Sequence, residues 1–354
     1  MNGGNGMSFK NFLKYRSVWM AVAIMFVAFF HSDFSSAVPF FEFVKRTGCG
    51  GVDIFFFASG IGCYYSLKKD SDPVRFIKRR FNRLAPTYFV FIVLWIILRM
   101  FVEKLTFSQI IGNFFGVQYF TNNGGEFNWY IGALILFYLL SPYIFALTEK
   151  TGTKPKTAAV ILLSLVISLT FLNAKSALII ASRFPIFIIG MAAARDSFKV
   201  EYIKKKYIVI LGLLSAIGLA LMYVLVTRKC ETLLWQYGLM WYPYIIIVPG
   251  VCLLISAAAN ALDKTKVGKK IVSFFLFISR YTFEIYLLHI VILQIFHSYY
   301  DKVNDKIAKG ILNIDLGGCF QIIPFLILIT AGVFVLKKLT DLLVKSLNIT
   351  KKKS

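Results

Sequence analysis

Apolar runs with almost no charge recur along this chain, at about 17–32, 51–67, 84–102, 129–147, 157–173, 176–194, 207–227, 238–260, 273–298 and 318–343. Each is long enough, or nearly so, to cross the roughly 30 Å hydrocarbon core of a bilayer as a helix. The pattern predicts an all-α fold: a polytopic membrane helix bundle of about ten transmembrane helices, forming one integral-membrane domain over residues 1–354. At 58% hydrophobic residues and a mean hydropathy of +0.71, the chain has more apolar surface than a soluble domain can hide. The net charge of +23 is spread between the apolar runs rather than gathered on one face, which argues against nucleic acid as a partner. With the N-terminus inside, the segments on that side hold 28 of the 40 Lys and Arg, and the opposite loops hold 10. The positive-inside rule then predicts a multi-pass membrane protein with both termini cytoplasmic. The first run has no convincing cleavage site and reads as a retained signal anchor.

Polar groups inside hydrocarbon are costly, so each asks for a reason. Arg16 opens the first run and His31 closes it, with no charge between them. On a helix these fifteen steps rise about 22 Å and turn four circles plus about 60°, so both residues lie on roughly one side, near opposite membrane faces. Asp53 enters the second run at a similar depth to His31. A carboxylate beside the imidazole would fix its tautomer and raise its basicity, as a general base requires. In Arg75–Pro86 the helical spacing gathers Phe76, Arg79, Arg80 and Arg83 on one face, a guanidinium platform suited to phosphate. Arg280 and Glu284, four apart, are expected to neutralise each other on one helix face. His289 is a second acid–base candidate, or a histidine hydrogen-bonded to a neighbouring helix. Arg183 could hold phosphate or a polar substrate. The three histidines (31, 289 and 297) show no HExxH spacing and the five cysteines no paired spacing, so no metal site is expected.

Four blocks in order resemble one family. Gly51-Val52-Asp53-Ile54-Phe55-Phe56-Phe57-Ala58-Ser59-Gly60 is similar to the GVD-[LI]-FFxxSG block of the acyltransferase-3 family of integral-membrane O-acyltransferases. Phe76 to Tyr88 resembles its FxxRRxxRxxPxY, Arg183 to Gly190 its RxPxFxxG, and Ser279 to His289 its SYxxYLLH segment. The resemblance implies a protein of the inner, cytoplasmic cell membrane, with an acyl group, usually acetyl, taken from acyl-CoA on the cytoplasmic side and passed to a hydroxyl of a cell-surface glycan or glycolipid. It implies His31 as the catalytic residue and Arg80 and Arg83 as donor-binding, with Arg79 and Arg16 beside them. Ser59, Arg183, Glu284 and His289 are auxiliary candidates. No cofactor is expected to be held permanently; acetyl-CoA enters as donor substrate. Two departures stand out. The family's basic residue about ten places before its histidine falls here on Met20, the nearest cation being Arg16. Leu134 and Ile135 stand where many members have acids in the fourth helix, leaving Glu126 or Glu284 to substitute.

The long, thin pantetheine arm suits this layout, with phosphates at the arginines and the thioester near His31. His31, oriented by Asp53, would deprotonate the acceptor hydroxyl for direct attack; a transient acyl-imidazole is the alternative chemistry. The rival reading is a non-catalytic transporter or flippase of lipid-linked saccharide, which would favour inverted repeats and paired broken helices. Neither is evident in the sequence.

Overall fold

The computed structural model describes residues 6–32, 39–101, 104–121, 129–151, 154–227, 238–293 and 317–347. Glu126 and His297, both considered above, lie outside them. The helices are α1 (Phe9–Lys14), α2 (Arg16–His31), α3 (Pro39–Thr47), α4 (Gly51–Lys69), α5 (Pro73–Met100), α6 (Phe107–Phe114), α7 (Gln118–Thr121) and α8 (Trp129–Thr151). They continue with α9 (Lys154–Leu169), α10 (Lys175–Ala181), α11 (Phe184–Ser197), α12 (Lys205–Thr227), α13 (Tyr244–Leu262), α14 (Lys266–Ser279), α15 (Thr282–Leu293) and α16 (Gly317–Ser346). Among the described residues a two-stranded clasp has β1 (Gly6–Ser8) running antiparallel to β2 (Tyr202–Lys204), Gly6 opposite Lys204. The fold is all-α, as expected.

The count of ten spans is not reproduced. Among the described residues five helical stretches are long and apolar enough to cross a membrane: Pro73–Met100, Trp129–Glu149, Lys175–Ser197, Lys205–Thr227 and Tyr244–Leu262. The pair α14–α15, bent by 72°, makes a sixth if taken as one span, while Arg16–His31 and Pro155–Leu169 are shorter apolar helices. At about 1.5 Å per residue, α2 covers roughly 24 Å.

Local chemistry explains where the boundaries moved. The third run was expected to start at 84, yet α5 starts at Pro73. The Asp72 side chain caps it by accepting from the Arg75 amide at 2.8 Å, and a proline at the first helical position gives up only an orphan N–H. The arginine block is therefore the first three turns of a 28-residue helix. The run expected at 176–194 is interrupted between α10 and α11 at Ser182 and Arg183, just before Pro185.

The bundle is organised around α4, whose residues are buried on every side between Gly51 and Tyr64, except at Ser59 and Gly62. Its tightest neighbour is α11. A Cβ at Gly60 would lie 2.1 Å from the Phe187 carbonyl oxygen, and one at Gly190 would lie 2.2 Å from that of Phe57. The two backbones touch because both contact positions lack side chains, the usual way helices associate where lipid removes the hydrophobic drive. Gly60→Val should destabilise the protein by about 1–3 kcal/mol, as overpacking does, read as a lowered unfolding temperature in detergent. An unchanged melting temperature would refute this contact. Elsewhere Trp19 Nε1 donates to Ser256 Oγ at 2.8 Å, and that hydroxyl donates to the Phe12 carbonyl at 2.9 Å, tying α1, α2 and α13 together. On the outside, α12 exposes Leu213, Ile217, Leu221 and Val224 along one stripe, a surface fit for lipid chains.

Candidate active site

Arg16 and His31 are the first and last residues of α2, so the helix itself sets their separation. Two groups of polar side chains gather at these ends.

At the Arg16 end, Gly62 of α4 leaves room for two guanidinium groups. A Cβ there would sit 3.6 Å from Nη1 of Arg16, and 3.7 Å from both Nη1 and Nη2 of Arg80. Arg80 donates through Nη2 to the Gly62 carbonyl and lies over the rings of Phe76 and Tyr138, at 5.3 and 5.4 Å. Arg83 is near enough to Arg16 for the two charges to repel. Among the described residues none of these three cations has a carboxylate partner. Like charges gathered this closely form an anion-binding locus. Arg79, expected on the same platform, is turned away: its Nη1 donates to Asp70 at 2.5 Å, and Arg75 reaches the same carboxylate at 3.1 Å. The Arg79 hydrogen bond holds the Asp70 carboxyl below its ordinary range. That network closes the turn between α4 and α5 and takes Arg79 out of the cluster.

At the other end His31 is exposed, and its ring centroid lies 5.3 Å from that of His289, which is fully buried. The Nδ1 of His289 meets the Tyr286 carbonyl at 2.6 Å and the Ile285 carbonyl at 3.2 Å. A carbonyl only accepts, so Nδ1 carries the proton and Nε2 is left as a bare acceptor. That Nε2 is buried and has no hydrogen-bond partner. His289 is thus bonded to its own helix, rather than to a neighbouring one, and faces His31.

Asp53 does not pair with His31. It is fully buried, with Oδ2 3.7 Å from Nε of Arg183, itself only 2% exposed. Neither carboxylate oxygen receives a hydrogen bond. Arg183 stands at the break before α11, its guanidinium 5.0 Å from the Trp129 ring and 4.7 Å from the Trp241 ring, and its Nη1 donates to the Ile179 carbonyl at 3.0 Å. Similar depth was the reason to pair Asp53 with His31. Because α4 is packed on all sides, its sequence carries no periodicity to say which neighbour Asp53 faces. Trp241, a member of this cage, carried no sequence signal.

Glu284 is buried at 7% exposure, whereas Arg280 is exposed, and no ion pair joins them. The 72° bend between α14 and α15 separates them, so the four-residue spacing does not place them on one helix face. Ser59 lies on the accessible side of α4, its hydroxyl close to those of Tyr130 and Tyr138.

These features define a polytopic α-helical membrane protein with three clustered arginines at one end of a short helix and a histidine pair at the other. The acyltransferase-3 family model, described as an acyltransferase domain, matches residues 19–338. The chain belongs to that family and is a membrane acyltransferase. No curated protein and no solved structure matches it.

Proposed function

We propose that the protein moves an acyl group, acetyl in the first instance, from cytoplasmic acyl-CoA to a hydroxyl of a cell-surface or lipid-linked glycan at the outer face of the inner membrane. The observation that carries this reading is the polarity of the site. Arg16, Arg80 and Arg83 gather at one end of α2 with no carboxylate partner among the described residues, and His31 with His289 stands at the other. A donor with phosphates at one end and a thioester at the other suits that layout. The excess of Lys and Arg on the side of the arginine cluster supports a cytoplasmic placement for it and for both termini.

In this mechanism one nitrogen of His31 takes the proton of the acceptor hydroxyl as its oxygen attacks the thioester carbonyl carbon. The carbon–oxygen bond forms, the carbon–sulfur bond breaks, and the departing thiolate recovers the proton from His31. His289 is a positioning residue. Its bare Nε2 lies beside the His31 ring and would accept from the N–H of His31 once the base turns to the acceptor, which leaves the other His31 nitrogen free as the base. Asp53 takes no part in this step.

The test is transfer of labelled acetyl groups from acetyl-CoA to a membrane glycan fraction by the purified protein in vesicles. Wild type should transfer label in proportion to donor. The Arg80→Ala/Arg83→Ala variant should show a donor KM at least tenfold higher, at about 1.4 kcal/mol per factor of ten. No transfer from any acyl-CoA by correctly inserted wild type would sink the reading and return weight to a saccharide transporter. Parallel double-reciprocal lines would replace direct attack by an acyl-histidine intermediate.

A further inference from the structure

A line of side chains joins the two ends of the site. Arg80 lies over the Tyr138 ring, and Ser59, on the accessible strip of α4, is close to both Tyr138 and Tyr130. The Tyr130 ring is 4.7 Å from that of Tyr286, whose ring is 5.5 Å from His289. Hydroxyls inside a membrane bundle are expensive unless they bond to something. Other buried tyrosines are committed to fixed partners: Tyr88 donates to the Asn113 carbonyl at 2.6 Å and Tyr244 to that of Thr47 at 2.8 Å. Tyr130 and Tyr138 have no such carbonyl partner among the described residues, and Ser59 lies near both. Accessibility points the same way. On the stretch of α4 from Gly51 to Tyr64, only Ser59 and Gly62 keep accessible surface. Three residues apart, they lie on one helix face, the face toward Tyr138 and Arg80. Tyr138 also keeps accessible surface.

We infer that Tyr138, Ser59 and Tyr130 form the subsite for the amide groups of the donor's pantetheine arm. The inference rests on the donor reading above and deepens it. The arm carries two secondary amides and a hydroxyl between its phosphates and its sulfur, and each needs a hydrogen-bonding partner away from water. A row of hydroxyls that both donate and accept supplies them in the required order, after the cations and before the histidines. An acyl chain on a lipid donor has no such groups and would gain nothing from the row.

The experiment is equilibrium binding of two probes to the full-length protein in detergent: coenzyme A, and its nucleotide head alone, adenosine 3′,5′-bisphosphate. Wild type should bind coenzyme A more tightly than the head. Tyr138→Phe and Tyr130→Phe, each removing one oxygen, should weaken coenzyme A about five- to tenfold, as loss of a hydrogen bond does. Affinity for the head should be unchanged, which also certifies the fold, and Ser59→Ala should act like the tyrosine variants. Head and coenzyme A weakened equally, or a coenzyme A to head ratio unchanged in all three variants, would overturn the subsite while leaving the donor reading intact. Failure of wild type to bind either probe would overturn the donor reading itself, and the subsite with it.

Discussion

His31→Ala should abolish acyl transfer while the protein still inserts, folds and binds coenzyme A. Positioned general-base catalysis contributes roughly 10²- to 10⁴-fold, and among the described residues no other exposed imidazole at the site can take over the proton. His289 is fully buried, its Nδ1 is committed to the Tyr286 carbonyl, and its Nε2 is enclosed. His289→Ala should therefore lower kcat less than His31→Ala and leave the donor KM near wild type, because it removes the group that orients the base and not the base. Rates measured with saturating acetyl-CoA, beside membrane insertion and melting temperature for each variant, decide the matter. A His31→Ala protein with wild-type turnover would show that the histidine only packs against His289.

Arg183→Ala should cost about 3–5 kcal/mol of stability, because it strands the Asp53 carboxylate in a site with no hydrogen-bond donor to it. Asp53→Ala should do likewise from the opposite side, leaving a cation between Trp129 and Trp241. Asp53→Leu/Arg183→Met, which removes both charges at similar volume, should recover much of the loss, since hydrophobic replacement of a buried pair is often neutral or better. Thermal unfolding of wild type, Asp53→Leu, Arg183→Met and the double variant in one detergent gives the cycle. A mild variant, Asp53→Asn, separates this structural role from the catalytic one suggested by depth. If Asp53 oriented His31, kcat would collapse with melting unchanged; the observed pairing predicts lowered stability with kcat per folded molecule retained.

The residues of the site were nearly all visible in the sequence, because an ionisable group in an apolar run is rare and expensive wherever it falls. His31, Asp53, Arg183 and His289 stand out on that ground, Arg16 by its place at the mouth of the first run, and Arg80 and Arg83 by their spacing in the arginine block, as does the all-α membrane class from the apolar runs themselves. Partnerships did not follow. Arg79 and Arg80 are adjacent in one block, yet Arg79 is drawn back to Asp70 across the α4–α5 turn while Arg80 points to Gly62. Glu284 lost its expected partner to the bend after Ser279.

The sequence by itself determined the medium, the helical class, the family and the height of each polar group along its own helix. Helical rise is a fixed length per residue, so depth can be read by counting. Only the tertiary structure decided which group each one faces. That depends on the rotation of one helix against another and on where helices break, and for α4, buried on every side but one narrow strip, no hydrophobic stripe records that rotation. The contact of Gly60 and Gly190 with opposing carbonyls sets how closely α11 approaches α4. Within that packing Arg183 meets Asp53, and His31 is left to His289.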